Sequence, residues 1–98
     1  MRPGWFYILE CCDSTYYSGS TVDIVSRLKA HMTGKGANYT RDRLPVRLVY
    51  VEWFKSVAKA FDREVQVKGW SRKKKEALIN YRFDLLPEYS KNYKQFPE

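Results

Sequence analysis

A chain of 98 residues has room for one domain and not for two, and with 44% hydrophobic and 16% aromatic side chains it can bury a core, which excludes intrinsic disorder. The 18 Lys and Arg against 11 Asp and Glu leave a net charge of +7. Such a field attracts polyanions, with nucleic acid first and an anionic membrane surface second; plain solubility is the bland alternative.

Trp5 to Cys11 is a near-continuous apolar run, the pattern of a strand covered on both faces. Its apolar centre, Trp5 to Leu9, is too short for a signal-peptide core or a bilayer span, so no membrane contact is expected. Cys11 and Cys12 are adjacent and bridge only with strain. With the single His31 they are too few and too badly spaced for structural zinc, and a reducing, cytoplasmic setting fits best. Cys12-Asp13-Ser14 is short enough to turn an antiparallel hairpin into a second strand, Thr15 to Gly19.

Ser20 and Thr21 offer N-caps for a helix from about Val22 to Thr33, ended by Gly34, with Ile24, Val25, Leu28 and Met32 as its apolar stripe. Gly34-Lys35-Gly36-Ala37 opens a basic loop that runs through Arg41, Arg43 and Pro45. A third strand spans Arg47 to Phe54, and Ser56 caps a helix from about Val57 to Lys68. Gly69-Trp70-Ser71 breaks it, and Ser71 caps another helix carrying Arg72 to Tyr81. The order β-β-α-β-α-α predicts an α/β (α+β) fold, a small, mainly antiparallel three-stranded sheet flanked by helices. Residues 1–82 are expected to form this domain and 83–98 a tail or an appended helix.

Three features are out of place in such a domain. On the helix from Val57, Lys59, Asp62, Arg63 and Gln66 make a polar side, while Val57, Ala60, Phe61, Val65 and Val67 make an apolar one with Glu64 in its middle. A carboxylate there costs several kcal/mol, by order of magnitude, unless a cation meets it. That cation is either Lys68, one turn later, or a divalent metal of the Mg²⁺ kind held by one carboxylate, water and phosphate oxygens. Arg27 and His31, four residues apart at the border of the first apolar stripe, either snorkel to solvent or serve a phosphate and a proton transfer. Tyr7 and Tyr17, on neighbouring strands, either pack or direct their hydroxyls to a common polar spot.

The ordered set Tyr7, Tyr17-Ser18-Gly19, Arg27-Leu28, His31 and Glu64 resembles the GIY-YIG nuclease domain, and most of all its small stand-alone bacterial members. The stretches WFYIL, YYSGSTVDIVSRLKAH, GKGANYT, LVY and REVQVKGWSRKKKEAL carry the likeness, from about Trp5 to Ile79. The first triplet, Trp5-Phe6-Tyr7, keeps only its tyrosine; Glu76 and Asn80 fall where many members place an asparagine, and neither is assigned that role.

This resemblance implies a metal-dependent endonuclease that hydrolyses DNA phosphodiester bonds in repair or recombination. Glu64 would bind Mg²⁺ or Mn²⁺, Arg27 would offset phosphate charge, Tyr17 would activate or orient water, and Tyr7 and His31 would fix the network. A free tyrosine is only about one part in a thousand phenolate at pH 7, so Tyr17 would need the metal, Arg27 or neutral His31 to help it. DNA, structured or branched forms included, would be held by Lys35, Arg41, Arg43, Arg47, Lys68, Arg72 and Lys73 to Lys75, the last run being equally readable as a solvated helix face. Nothing resembles a base-reading element, so low sequence specificity is expected. A monomer without a small-molecule cofactor is expected, and the alternative is a nucleic-acid-binding module with weak or absent activity.

Overall fold

The computed structural model describes residues 2–80. Strands β1 (Gly4–Glu10), β2 (Tyr16–Thr21) and β3 (Arg47–Phe54) form one sheet in the order β2-β1-β3, antiparallel throughout. Helices α1 (Ile24–Met32), α2 (Asn38–Arg41), α3 (Val57–Lys68) and α4 (Arg72–Ile79) complete the described chain. The expected order therefore stands, with one short helix, α2, inside the basic loop. The division into residues 1–82 and 83–98 falls outside the described residues.

The central position of β1 explains its uninterrupted apolar sequence. Phe6, Tyr7, Ile8 and Leu9 are all fully buried, and alternation sends them into two separate cores. Phe6 and Ile8 pack with Tyr50, Val67 and Leu78 on the face covered by α3 and α4. Tyr7 and Leu9 pack with Cys11 and Val46, joined by Tyr17, Ile24 and Leu28, on the face covered by α1. Both cysteines are free, Cys11 buried and Cys12 exposed.

Local chemistry sets the element ends. Thr15 accepts from Cys11 N at 2.8 Å, while Ser14, at φ 67, turns the β1–β2 hairpin. Ser20 and Thr21 do not cap α1: they stay in the ladder opposite Phe6 and Trp5, and Asp23 caps instead, its carboxylate accepting from Ser26 N at 3.1 Å. Ser56 and Ser71 cap α3 and α4 as expected, accepting from Lys59 N and Lys74 N at 3.2 Å each.

The apolar stripes predicted for α1 and α3 are each turned from the buried ones. On α3 the inward residues are Ala60, Arg63, Glu64 and Val67, whereas Phe61 and Val65 are 54% and 57% exposed. Arg63 can enter because its guanidinium meets Glu52 at 3.3 Å and Gln66 at 2.8 Å and lies over the Trp70 ring. On α1, Val25 and Met32 are exposed and His31 is fully buried, so the inward line runs Ile24, Leu28 and His31.

Candidate active site

The register of β1 on β2 sets Tyr7 opposite Gly19. A Cβ at Gly19 would overlap the Tyr7 hydroxyl and ring, so the missing side chain is what lets the phenol lie across β2. There its hydroxyl meets His31 Nε2 at 2.8 Å. His31 Nδ1 in turn lies 2.8 Å from Thr40 Oγ1, and that hydroxyl donates to the Ala37 carbonyl at 3.0 Å. Thr40 has one hydrogen and gives it to Ala37, so it accepts from Nδ1–H, and Nε2 is left to accept from Tyr7. Gly36 passes so close to the imidazole that a Cβ there would overlap Nδ1. The chain Tyr7–His31–Thr40 is fully buried from end to end.

Tyr17 and Arg27 complete this side. The Tyr17 ring sits 5.2 Å from that of His31 and stacks on Tyr39 at 6.0 Å between centroids. Burial pushes the Tyr7 phenol up to about 12; the Arg27 guanidinium opposes this, while Tyr17 and Glu64 add to it. Burial, and then Arg27, push the His31 imidazole below its ordinary value. Tyr7 at rest is therefore a neutral donor and His31 a neutral acceptor.

Glu64 arrives from α3, on the other face, and reaches the edge strand β2. Its Oε1 accepts from Ser20 Oγ at 2.6 Å, and its Oε2 pairs with Lys68 Nζ at 2.8 Å. Of the two cations raised by the sequence, Lys68 is therefore the one that meets the carboxylate here. Among the described residues no group of three His, Cys, Asp or Glu side chains forms a cage for a metal. A single inward carboxylate beside a hydroxyl suits an ion that keeps most of its shell for water and phosphate, as Mg²⁺ does. The residues present fit such a metal at Glu64.

The profile of the GIY-YIG catalytic domain matches residues 3–77, most of the chain. The chain belongs to the GIY-YIG family. A UPF0213 protein of Streptococcus agalactiae is 49% identical over 77 residues, spanning 79% of this chain and 88% of that one. The solution NMR structure of a UPF0213 protein from Bacillus halodurans superposes with a TM-score of 0.54 at 41% identity, covering 95% of this chain and 99% of that one. A second NMR structure, of a protein from E. faecalis, gives 0.57 at 30% identity, covering 100% and 97%. A GIY-YIG catalytic domain carries nuclease-like chemistry on nucleic acid, and the buried polar chain described above lies within the matched segment.

The basic residues expected to hold nucleic acid in this GIY-YIG domain differ in their surroundings. Lys35 and Lys73 are exposed, and Arg41 has only a 3.7 Å pair with Asp42. Arg43 pairs with Asp13 at 3.1 Å and lies 3.8 Å over the Tyr39 ring; Arg72 pairs with Glu76 at 3.1 Å and lies 4.4 Å over the Tyr16 ring. Arg47 pairs with Glu10 at 2.6 Å. Lys74 departs from the expected solvated face: it is 2% exposed, with its ammonium 4.2 Å from the Trp70 ring. Lys68 and Lys75 line a shallow groove of about 260 Å³ with Tyr16, Tyr17, Ser18 and Tyr39.

Two supports of the site were missed in the sequence. Ser20 looks like a cap in the sequence, although its place two residues after Ser18 on β2 marks it for the α3 side. Thr40 lies within GKGANYT, but nothing local to that stretch signals a partner for a histidine nine residues earlier. No helix among the described residues is long and apolar enough to cross a membrane.

Proposed function

We propose that this chain is a divalent-metal-dependent endonuclease that hydrolyses DNA phosphodiester bonds with little base specificity, in repair or recombination. The observation that carries this reading is the approach of two unlike groups to one edge of the sheet: the inward Glu64 carboxylate, and the Tyr7 phenol backed by His31.

In this scheme Tyr17, which lines the open groove, holds the attacking water, and the buried Tyr7 and His31 fix the network behind it. As the water oxygen bonds to phosphorus, its proton passes by way of Tyr17 to Tyr7 while the Tyr7 phenol proton passes to His31 Nε2. A phenol raised to about 12 is not ionised in advance, so the two transfers are coupled. The resulting imidazolium keeps its Nδ1–H on Thr40. Arg27 disfavours that imidazolium at rest; once a phosphate gathers negative charge beside Arg27, the same guanidinium stabilises the transition state and the penalty on His31 falls. Glu64 would hold Mg²⁺ or Mn²⁺, which when bound polarises the phosphate and stabilises the departing oxygen. Lys35, Arg41, Arg43, Arg72 and Lys73 would hold the flanking backbone, contacts that position without reading bases.

The second reading is a binding module without useful activity, favoured by the Lys68 ammonium on Glu64 and by the tyrosines and lysines of the groove. Incubation with supercoiled, single-stranded and branched DNA plus Mg²⁺ or Mn²⁺, beside Glu64→Ala, separates the two. Cleavage is expected for the native chain and its loss in the variant; cleavage equal in both removes the enzyme reading. Salt-sensitive binding without cleavage establishes the module.

A further inference from the structure

We infer that Lys68 is a resident counter-cation that keeps Glu64 from metal until a phosphodiester draws it away, so that divalent metal and nucleic acid bind cooperatively. This rests on the nuclease reading above, in which Glu64 is the metal ligand.

The Lys68 ammonium lies 2.8 Å from Glu64 Oε2, while Oε1 is held by Ser20 at 2.6 Å. Each carboxylate oxygen thus already carries one partner, and a metal coordinating either oxygen is brought up against the like charge of the Lys68 ammonium. Ser20 can rotate its hydroxyl and stay, because a hydroxyl also offers lone pairs; an ammonium has only donors and a fixed positive charge. Lys68 is thus the group that has to leave.

It is also the group able to leave. The Glu64 side chain is 11% exposed and that of Lys68 55%, so the carboxylate is fixed within the fold while the lysine stem lies along the surface of the last turn of α3. An i,i+4 pair whose task was to stabilise a helix would ordinarily have both members in water. Here the acid is buried and held from a different element, β2, and the lysine is the movable part.

Its destination follows from the surroundings. Lys68 lines the groove with Tyr16, Tyr17, Ser18, Tyr39 and Lys75, and none of these lining residues is acidic. An ammonium displaced into that groove alone meets a second lysine, and Arg27 acts on the same site through Tyr7. Metal without nucleic acid therefore adds positive charge to a place already rich in it. A backbone phosphate changes that: it accepts Lys68, balances the metal, and leaves Glu64 open. By linkage the metal raises affinity for the phosphodiester by the same factor that the phosphodiester raises affinity for the metal.

The test is Mn²⁺ binding, followed by electron paramagnetic resonance, on the native chain, Lys68→Met and Lys68→Arg, with and without a phosphorothioate oligonucleotide and with DNA-only controls subtracted. Anisotropy of the labelled oligonucleotide with and without Mn²⁺ gives the reciprocal coupling. The expected result is that DNA tightens Mn²⁺ binding to the native chain about tenfold, within the usual range of coupling factors. Lys68→Met binds Mn²⁺ about tenfold more tightly without DNA and shows little further gain with it, whereas Lys68→Arg, which keeps the charge, behaves as the native chain does. Equal Mn²⁺ affinity in the native chain and Lys68→Met, or equal coupling in both, overturns the inference. Adding Glu64→Gln to Lys68→Met distinguishes the deeper failure: Mn²⁺ binding unchanged by that substitution, or absent from every variant even with DNA, overturns the metal-site reading itself.

Discussion

The Thr40 hydroxyl, 2.8 Å from His31 Nδ1, gives its own hydrogen to the Ala37 carbonyl at 3.0 Å and so accepts from the ring. One buried threonine on a four-residue helix thereby sets the tautomer in which His31 Nε2 can take a proton from Tyr7. Thr40→Val keeps the shape and removes the acceptor, leaving a buried Nδ1–H without a partner. Cleavage is expected to fall by about 10²-fold or more, the scale of a lost general base. Stability is expected to fall by about 1–3 kcal/mol, the cost of one orphaned polar group. Thr40→Ser retains both bonds and both properties. Native rates and urea midpoints for Thr40→Val would show that the threonine merely packs.

His31 also ties stability to pH, with a definite sign. Burial, reinforced by Arg27, holds its imidazole below the ordinary 6.5, so in acid the unfolded chain takes up a proton that the folded chain refuses. The contribution of neutral His31 is complete above that value and shrinks as pH drops from 6.5 toward the lower folded value. The slope for one group is at most about 1.4 kcal/mol per pH unit. Thermal unfolding followed across this window should show an acid limb that His31→Gln flattens. The cleavage rate should decline on the same side, because a protonated Nε2 cannot accept from Tyr7. A cleavage rate that rises toward acid would contradict the proton path.

Gly19 and Gly69 offer a matched pair. A methyl at Gly19 would overlap the Tyr7 hydroxyl and ring, whereas one at Gly69 meets only Gln66 O at an ordinary 3.8 Å. Gly19→Ala is expected to cost about 1–3 kcal/mol through overpacking and to push the phenol off His31. Gly69→Ala, at a helix end with φ −81, should stay within about 0.5 kcal/mol of the native chain. Loss of the Tyr7 hydroxyl proton signal from the slowly exchanging set in Gly19→Ala, read by NMR, would report the displacement directly. An intact Tyr7–His31 bond in that variant would refute the fit of ring to glycine.

Different parts of this arrangement were open to the sequence for different physical reasons. The ends of β3 and α3 were readable because their signals are local: a proline before one, a serine cap before the other. Glu64 stood out because a carboxylate amid valines and alanines demands a counter-charge wherever the helix is placed. The N-terminus of α1 lies later than its cap-like residues suggest because Ser20 and Thr21 pair with Phe6 and Trp5, a non-local constraint that overrides a plausible cap. The orientation of α3 departs from its apolar stripe because Arg63 finds partners on β3 and beyond the helix end, which no periodicity within the helix encodes. Thr40 was invisible for the same reason, since its partner lies across a loop.

Arg63 provides the sharpest check on that corrected orientation. It is 4% exposed, its Nε meets Glu52 at 3.3 Å and its Nη1 meets Gln66 at 2.8 Å, while Nη2 is buried with no partner among the described residues. Arg63→Ala opens a cavity beside Trp70 and strands the half-buried Glu52, so a loss of about 3–5 kcal/mol is expected, as for one broken member of a buried pair. That would approach the whole stability of a domain this small. Arg63→Met fills the space, removes the orphaned nitrogen and leaves Glu52 its bond from Tyr50 at 3.2 Å, so it should lose less than half as much. Phe61→Ser and Val65→Thr, both on the exposed flank, should each change stability by about 0.5 kcal/mol or less. Urea denaturation of the four variants ranks them in one experiment. Should Phe61→Ser prove more damaging than Arg63→Ala, the helix would be turned as its apolar residues alone suggest, and the Glu64 carboxylate would no longer face β2.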